Sequence, residues 1–291
     1  MPKQHEALLG AHMSIAGGIP KSLDRAMDAG CNVLQIFVKN NNQWRGRALH
    51  DPEVQEFRQR WAESPIRQVV AHDSYLINLA SPKPDLWERS IAAFLDEMKR
   101  CERLGLSHLV THPGAHVGAG EAWGIDRIAA ALVRILERTA SYQVKIALET
   151  TAGQGTTLGH RFQHLRDIMA GCGSPERIVV CMDTCHVFAA GYEIRTEEGY
   201  AGVMGQFDQV VGLEKLEVLH FNDSKRSFGS RVDRHEHIGK GEIGKAAFGW
   251  FLNDPRLVQV PKLLETPKEN EGEADRRNLK VLRSLLDKPE P

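Results

Sequence analysis

Val179-Val180-Cys181-Met182-Asp183-Thr184-Cys185-His186 is an apolar run that ends in an acid, with a histidine three residues later. A run that is apolar at successive positions suits a strand covered on both faces, as in a parallel sheet. This strand is expected over Arg177 to Met182. Upstream the same plan recurs. Lys145 to Leu148 is followed by Glu149, Ser107 to Thr111 by His112, and Gln68 to Ala71 by His72. Downstream, Leu216 to Leu219 is followed by His220, and Lys262 to Leu264 by Glu265. Two earlier runs, Leu8 to His12 and Val33 to Phe37, complete eight.

Helical patterns separate these runs. Ile19 to Ala29 carries Leu23, Ala26 and Met27 at helical spacing and stops at Gly30, where a C′ glycine belongs. Asp51-Pro52 is an N-cap followed by a first-turn proline and opens a helix to Ala62. Further helices are expected over Asp85 to Leu104, Ile125 to Tyr142, from Gly159 to Met169, near Phe207 to Val211, and over Asp275 to Leu286. A long glycine-rich, charged insertion lies between His220 and Lys262. Strand and helix alternating eight times predicts an α/β fold, a (β/α)8 TIM barrel. No linker or internal repeat divides the sequence, so residues 1–291 are expected to form a single TIM-barrel domain. The tail Lys288-Pro289-Glu290-Pro291 reads as a frayed end.

Composition narrows the function. Hydrophobic residues make up 42% and charged residues 26% of 291, enough apolar matter for a large core. The net charge of −1 gives no overall basic footprint, so any nucleic-acid contact must come from a local patch. No run reaches the roughly 18 apolar residues of a membrane helix. The first residues, MPKQHEALLGAH, lack the apolar core of a signal peptide. Five cysteines without a CxxC pair are expected to be small buried hydrophobes in a reducing cytoplasm.

In such a barrel the active site lies where the strands end. His72, His112, Glu149, Asp183, His220 and Glu265 follow six different runs and would converge on one mouth. Each alone reads as a turn or capping residue. Together all six are types that bind zinc or manganese. His186 lies within reach, and the insertion carries Asp233-x-His235, with His237 in the same phase. Spacing alone leaves His235 and His237 open. Nine ligands exceed the four positions of one zinc and suit two or three ions with a bridging carboxylate. Clustered divalent ions point to metal-assisted phosphoryl chemistry. Paired-carboxylate glycoside hydrolysis fits less well, because histidines accompany every acid. His5, His50, His108, His116, His160 and His164 have the placement of ordinary loop, terminal or packing histidines, and His12 is a candidate for orienting a ligand.

Gly10-Ala11-His12-x-Ser14, Ala71-His72-Asp73-Ser74-Tyr75-Leu76-Ile77-Asn78, His112-Pro113-Gly114-x-His116 and Leu148-Glu149 resemble the endonuclease IV family of abasic-site (AP) endonucleases. More specific are Asp183-Thr184-Cys185-His186-x-Phe188-Ala189-Ala190-Gly191-Tyr192, His220-x-Asn222-Asp223-Ser224-Lys225, Gly229-Ser230-Arg231-x-Asp233-Arg234-His235 and Leu264-Glu265-Thr266. The resemblance runs from about residue 8 to about 285 with motif spacing intact. It implies three divalent ions, mostly Zn2+, with Mn2+ in some members. His72, His112 and Glu149 would hold one. Glu149, Asp183, His220 and Glu265 would hold the second. His186, Asp233 and His235 would hold the third, which selects His235 over His237.

The implied reaction is hydrolysis of the phosphodiester 5′ to an abasic site in double-stranded DNA, leaving a 3′-hydroxyl, with trimming of blocked 3′ ends. Glu149, Glu265 and His186 are the residues it marks as catalytic. It also implies a cytoplasmic monomer that works in DNA repair. A baseless sugar has lost its stacking and flips out at lower cost. Tyr75-Leu76 is a candidate wedge, and Lys39, Lys225, Arg226, Arg231 and Arg234 are candidates to neutralise phosphates. One position departs from the pattern. Asn42 stands where the best-known bacterial members have an arginine that enters the DNA helix, so a shallower wedge or weaker hold is expected. The competing readings are a sugar isomerase or epimerase of similar barrel design, for which His186, Asp233 and His235 have no clear role, and a non-catalytic binding module.

Overall fold

A computed structural model describes residues 6–173, 175–269 and 272–287; His5 and the tail at 288–291 lie outside them. In chain order the elements are β1 (Leu9–Met13), α1 (Lys21–Ala29), β2 (Val33–Phe37), α2 (Asp51–Ala62), β3 (Gln68–His72), α3 (Pro84–Leu104), β4 (His108–Thr111) and α4 (Glu121–Arg138). They continue with β5 (Lys145–Glu149), α5 (Phe162–Cys172), β6 (Ile178–Asp183), α6 (Thr184–Ala190), α7 (Glu197–Val210), β7 (Leu216–Phe221), β8 (Asp223–Ser224) and β9 (His235–Glu236). The last three are α8 (Lys245–Asn253), β10 (Lys262–Leu264) and α9 (Glu273–Arg283). The first seven strands and β10 close a parallel barrel in the order β1-β10-β7-β6-β5-β4-β3-β2, as the alternation predicts. Among the described residues no helix is long and apolar enough to cross a membrane.

Side chains of a strand alternate between faces, and this alternation places the site. Val33, Val70, Val110, Ala147, Cys181, Val218 and Leu263 form a buried cluster of their own within the barrel. Two residues further along the chain from each come Gln35, His72, His112, Glu149, Asp183, His220 and Glu265, with His112 and Glu265 just past the ends of β4 and β10. The apolar layer is thus the floor, and the next inward position at every strand end faces the mouth. The alternate residues, such as Leu34, Ile36, Leu148 and Met182, join the larger core between barrel and helices. On β1, a Cβ at Gly10 would stand 1.9 Å from the Val33 carbonyl oxygen, so only glycine fits there. Below the floor, His108 and Lys145 pair with Glu217 at 2.8 and 2.6 Å. His108 therefore belongs to the opposite end of the barrel from the mouth.

Three helices depart from the pattern expected of the sequence. α6 has seven residues, all but the last buried, so it shows no amphipathic stripe. α7 begins at Glu197, and its glycines 199, 202 and 205 interrupt the periodicity that is legible only near Phe207. α8 lies inside the charged insertion, directly after Gly244. The insertion itself is tied down by an antiparallel ribbon in which β8 pairs with β9. All five cysteines are free and buried, as expected.

Candidate metal centre

Glu149, the last residue of β5, is fully buried at the centre of the mouth. Its two carboxylate oxygens face different neighbours. Oε2 lies 3.1 Å from His72 Nε2 and 3.2 Å from His112 Nε2. Oε1 lies 2.9 Å from His220 Nδ1 and 3.3 Å from His186 Nδ1. A carboxylate with one oxygen in each of two ligand groups is placed to bridge two cations.

Glu265 Oε2 also approaches His220 Nδ1, at 3.3 Å, and Asp183 Oδ2 lies 3.9 Å from it. A further group forms where the loop before β9 folds back. Asp233 sets Oδ2 at 3.1 Å from His186 Nε2 and Oδ1 at 3.2 Å from His235 Nε2. Asp183 serves this group structurally as well, capping α6 by accepting the His186 N–H at 2.9 Å. The structure therefore brings together all nine ligands expected of the sequence. His237 points elsewhere, toward Glu269 at 3.2 Å.

The tautomers show what the mouth requires. His72 Nδ1 donates to the Asp73 carbonyl at 2.9 Å, His186 Nδ1 to that of Thr150 at 2.8 Å, and His235 Nδ1 to that of Glu265 at 3.1 Å. His220 is reversed, its Nε2 donating to Gln35 Oε1 at 2.8 Å. Each neutral ring has then spent its only proton. The other nitrogen presents a lone pair to a carboxylate oxygen, and two acceptors at about 3 Å repel unless positive charge stands between them. His186 Nε2 and His235 Nε2 are buried without a hydrogen-bond partner.

Protons can supply that charge. Burial opposes protonation of His72, but the Glu149 carboxylate outweighs it and holds the ring up to about 10. Burial likewise opposes protonation of His235, and Asp183 and Asp233 raise it to about 9. Burial would raise Glu149, yet His220 and His112 hold it well below the usual carboxylate range. Crowding makes protons a poor solution. Neighbouring rings are centred 5.4 to 6.0 Å apart from His72 to His112 and His220, and from His112 to His186. Charging them all would set imidazolium against imidazolium. Divalent cations shared among imidazoles and carboxylates satisfy the same lone pairs with fewer centres, and the donor set suits zinc or manganese. The residues present fit metal ions.

Sequence reasoning does not reach two of the residues that orient these side chains, Gln35 and Asn222. Gln35, polar inside an otherwise apolar strand, donates from its amide to Glu265 Oε1 at 2.6 Å and to His12 Nδ1 at 3.0 Å. The same His12 nitrogen lies 3.4 Å from Glu265 Oε1, next to a proposed ligand. Asn222 donates to Asp183 Oδ2 at 2.6 Å and accepts from the Glu265 N–H at 2.9 Å. A polar residue inside an apolar run is the signal that could have marked Gln35.

One expected DNA contact is corrected. Lys39 is buried, its ammonium 3.0 Å from Glu97 and 2.7 Å from the Gln43 carbonyl, so it is spent inside the protein and does not meet phosphate. Tyr75 is 69% exposed, standing edge-on to Phe37 with centroids 5.5 Å apart. Leu76 is half-buried, and Asn42, Arg226, Arg231 and Arg234 are exposed. Lys225 is exposed and lies 3.6 Å from Glu236. Arg231 has a left-handed backbone, φ 54°.

In a separate trio of Glu121, His160 and His164, His160 Nδ1 donates to the Thr157 carbonyl at 3.0 Å and its Nε2 is buried without a hydrogen-bond partner, 3.7 Å from Glu121. His164 Nδ1 accepts the Gly159 N–H at 3.2 Å, so its proton sits on Nε2, 3.5 Å from Glu121. Arg161 also pairs with that carboxylate.

A barrel with histidines and carboxylates gathered at its mouth defines a class, and residues 23–285 match the family described as xylose isomerase-like TIM barrel. Within that class the relatives are specific. A probable endonuclease 4 of Geotalea daltonii is 50% identical over 96% of this chain and 98% of its own. One from Trichlorobacter lovleyi is 51% identical over 95% and 99%. The crystal structure of endonuclease IV from Thermus thermophilus superposes with a TM-score of 0.85 at 37% identity, covering 95% of this chain and 98% of its own. The chain belongs to the endonuclease IV family. A D-tagatose 3-epimerase-like protein shares the fold alone, with a TM-score of 0.71 at 16% identity.

Proposed function

We propose that the protein is a metal-dependent DNA-repair endonuclease that hydrolyses the phosphodiester 5′ to an abasic site in duplex DNA, leaves a 3′-hydroxyl, and trims blocked 3′ ends. Family membership carries the DNA-cleaving hydrolase. The observation that carries the metal chemistry is the ring of lone pairs facing carboxylates, of which the Glu149 bridge is the centre. It works as one AP endonuclease domain over residues 1–291, a monomer in the cytoplasm.

Three ions fit the three ligand groups, most simply Zn2+, with Mn2+ as an alternative. His72 and His112 hold one with Glu149. His220, Asp183 and Glu265, together with Glu149, would hold the next. His186, Asp233 and His235 hold the third. When bound, these ions activate the attacking water and offset charge on the phosphate and its leaving oxygen. The chain's own contribution is placement. Glu149 fixes the spacing between two groups. Glu265 is held by Gln35, and His186 by the Thr150 carbonyl, so each enters the reaction pre-oriented. Tyr75 and Leu76 fill the gap left by the missing base, the shorter and uncharged Asn42 gives a shallower wedge beside them, and Lys225, Arg226, Arg231 and Arg234 line the path of the phosphates.

The sugar isomerase reading is not favoured. It leaves the group of His186, Asp233 and His235 without a task, and the epimerase-like structure shares the fold alone.

The test is cleavage of a duplex carrying one tetrahydrofuran abasic analogue, which cannot undergo β-elimination. Expected are a cut 5′ to the analogue, a 3′-hydroxyl product, and loss of activity with chelator. His186→Ala should lower the rate at least about a hundredfold, the scale of removing a group that stabilises transition-state charge. No cleavage by fully metallated protein refutes the proposal.

A further inference from the structure

Two loops at the mouth, residues 38–50 after β2 and 73–83 after β3, meet over a buried ion pair that the chemistry of the metal centre does not use. Lys39 comes from the first loop and Glu97 from the middle of α3 beneath. Their side chains are 2% and 1% exposed and 3.0 Å apart. Lys39 also donates to the Gln43 carbonyl at 2.7 Å. On the other side, Glu97 Oε1 accepts the Ser74 N–H at 3.3 Å. The Ser74 hydroxyl crosses back to donate to the Asn41 carbonyl at 2.6 Å. The connections form a closed ring from Gln43 through Lys39, Glu97 and Ser74 to Asn41.

The ring's position in the sequence gives it meaning. Asn42 lies between the two tethered carbonyls, and Tyr75 directly follows Ser74. The two side chains proposed to meet DNA are thus each next to an anchored atom. α3 braces the first loop elsewhere too, with Arg100 donating to the Arg47 carbonyl at 2.7 Å and Arg103 to that of Leu49 at 2.5 Å. Burying two charges is costly, and an apolar pair of similar volume is often as stable. The ion pair's value is then conformational, since its directional bonds fix one arrangement of the loops where apolar contact tolerates several.

We infer that Lys39 and Glu97 are positioning residues that lock the two loops into one unit, so that Asn42 and Tyr75 engage damaged DNA together. This rests on the functional reading above, and the binding cost avoided is that of ordering two loops separately.

The test compares wild type, Glu97→Gln and the double variant K39M/E97M, all loaded with metal. The double variant removes both charges and keeps the volume, so it should fold and hold its full metal complement, melting somewhat below wild type because the buried Ser74 N–H loses its acceptor. Hydrogen exchange on the free protein should rise in residues 40–45 and 73–77 together. On the tetrahydrofuran duplex its KM should rise about tenfold, with kcat within about twofold because the metal ligands are untouched. Glu97→Gln keeps the shape and leaves the buried Lys39 ammonium without its counter-ion, so it should raise exchange in both loops at least as much as the double variant does. A double variant with wild-type KM and wild-type exchange in both loops would overturn the inference, and so would faster exchange in only one loop. Exchange is read without DNA, so a wild type that failed to cut DNA would refute the functional reading separately.

Discussion

Replacing Gln35 by leucine removes two polar functions and leaves the volume of the side chain nearly unchanged. In the native protein the Gln35 carbonyl oxygen accepts from His220 Nε2 at 2.8 Å and its amide donates to Glu265 Oε1 at 2.6 Å. Gln35 is fully buried, so no water replaces either bond at low cost. His220 Nε2–H loses its acceptor, which costs about 1–3 kcal/mol for a buried donor. The ring can recover by moving the proton to Nδ1, where Glu149 Oε1 waits at 2.9 Å. That tautomer uses up the nitrogen needed for an ion. Loss of an orienting partner of this kind typically weakens metal binding 10- to 100-fold, or about 1.4–2.7 kcal/mol at about 1.36 per decade. The expected outcome is that one of the three proposed ions exchanges readily. It is measured by zinc content after graded competition with a chromophoric chelator, and by a lower Tm that added metal restores. Unchanged affinity for all three ions would refute the argument that Gln35 sets the His220 tautomer.

In the metal-free protein the carboxylates hold His72 up to about 10 from 6.5, so its protonation stabilises the fold fully below about 6.5 and that stabilisation fades as pH rises through about 10. Thermal melts in chelator should therefore fall between those limits, whereas metal-loaded protein should stay level there; parallel curves would show that protons do not stand in for the ions. Metal binding should accordingly release protons, seen as a buffer-dependent binding enthalpy. Asn42→Arg adds a cation at an exposed position beside the wedge loop, and should tighten abasic duplex binding and steepen its log–log salt slope by about 0.9. An unchanged affinity and slope would place position 42 off the DNA path. Tyr75→Ala removes a 69% exposed ring and should leave the unfolding free energy within about 0.5 kcal/mol of wild type while weakening binding to abasic duplex. A large fall in stability would instead make Tyr75 part of the core.

What the sequence discloses about this site depends on how local each signal is. Val179 to His186 discloses its ligands because strand periodicity and strand ends are read within a few residues, and the same rule finds His72, His112, Glu149, His220 and Glu265. His186 is legible by proximity to Asp183. Its phase is then secured by α6, a helix too short and too thoroughly buried to announce itself. Asp233 and His235 lie in an insertion whose course is set by the ribbon of β8 and β9, so spacing alone left His237 in contention until the resemblance separated them.

Lys39 shows where local reading stops. A lysine in a polar loop at a DNA-facing mouth is reasonably expected in solvent, since a buried ammonium needs a partner. Here the partner is Glu97, on a helix remote in sequence, and no pattern around either residue names the other. Gln35 and Asn222 fail for a related reason. Each is one polar residue whose role lies in the tautomer or rotamer of a ligand on another strand. The ligands themselves are set by single strands, while their orientation is set by pairs of strands that only the closed barrel brings together. Substitutions of the two kinds should separate accordingly. Removing a ligand removes an ion, whereas removing Gln35 or Asn222 leaves the full donor set present and misdirected, so that metal in excess restores occupancy before it restores rate.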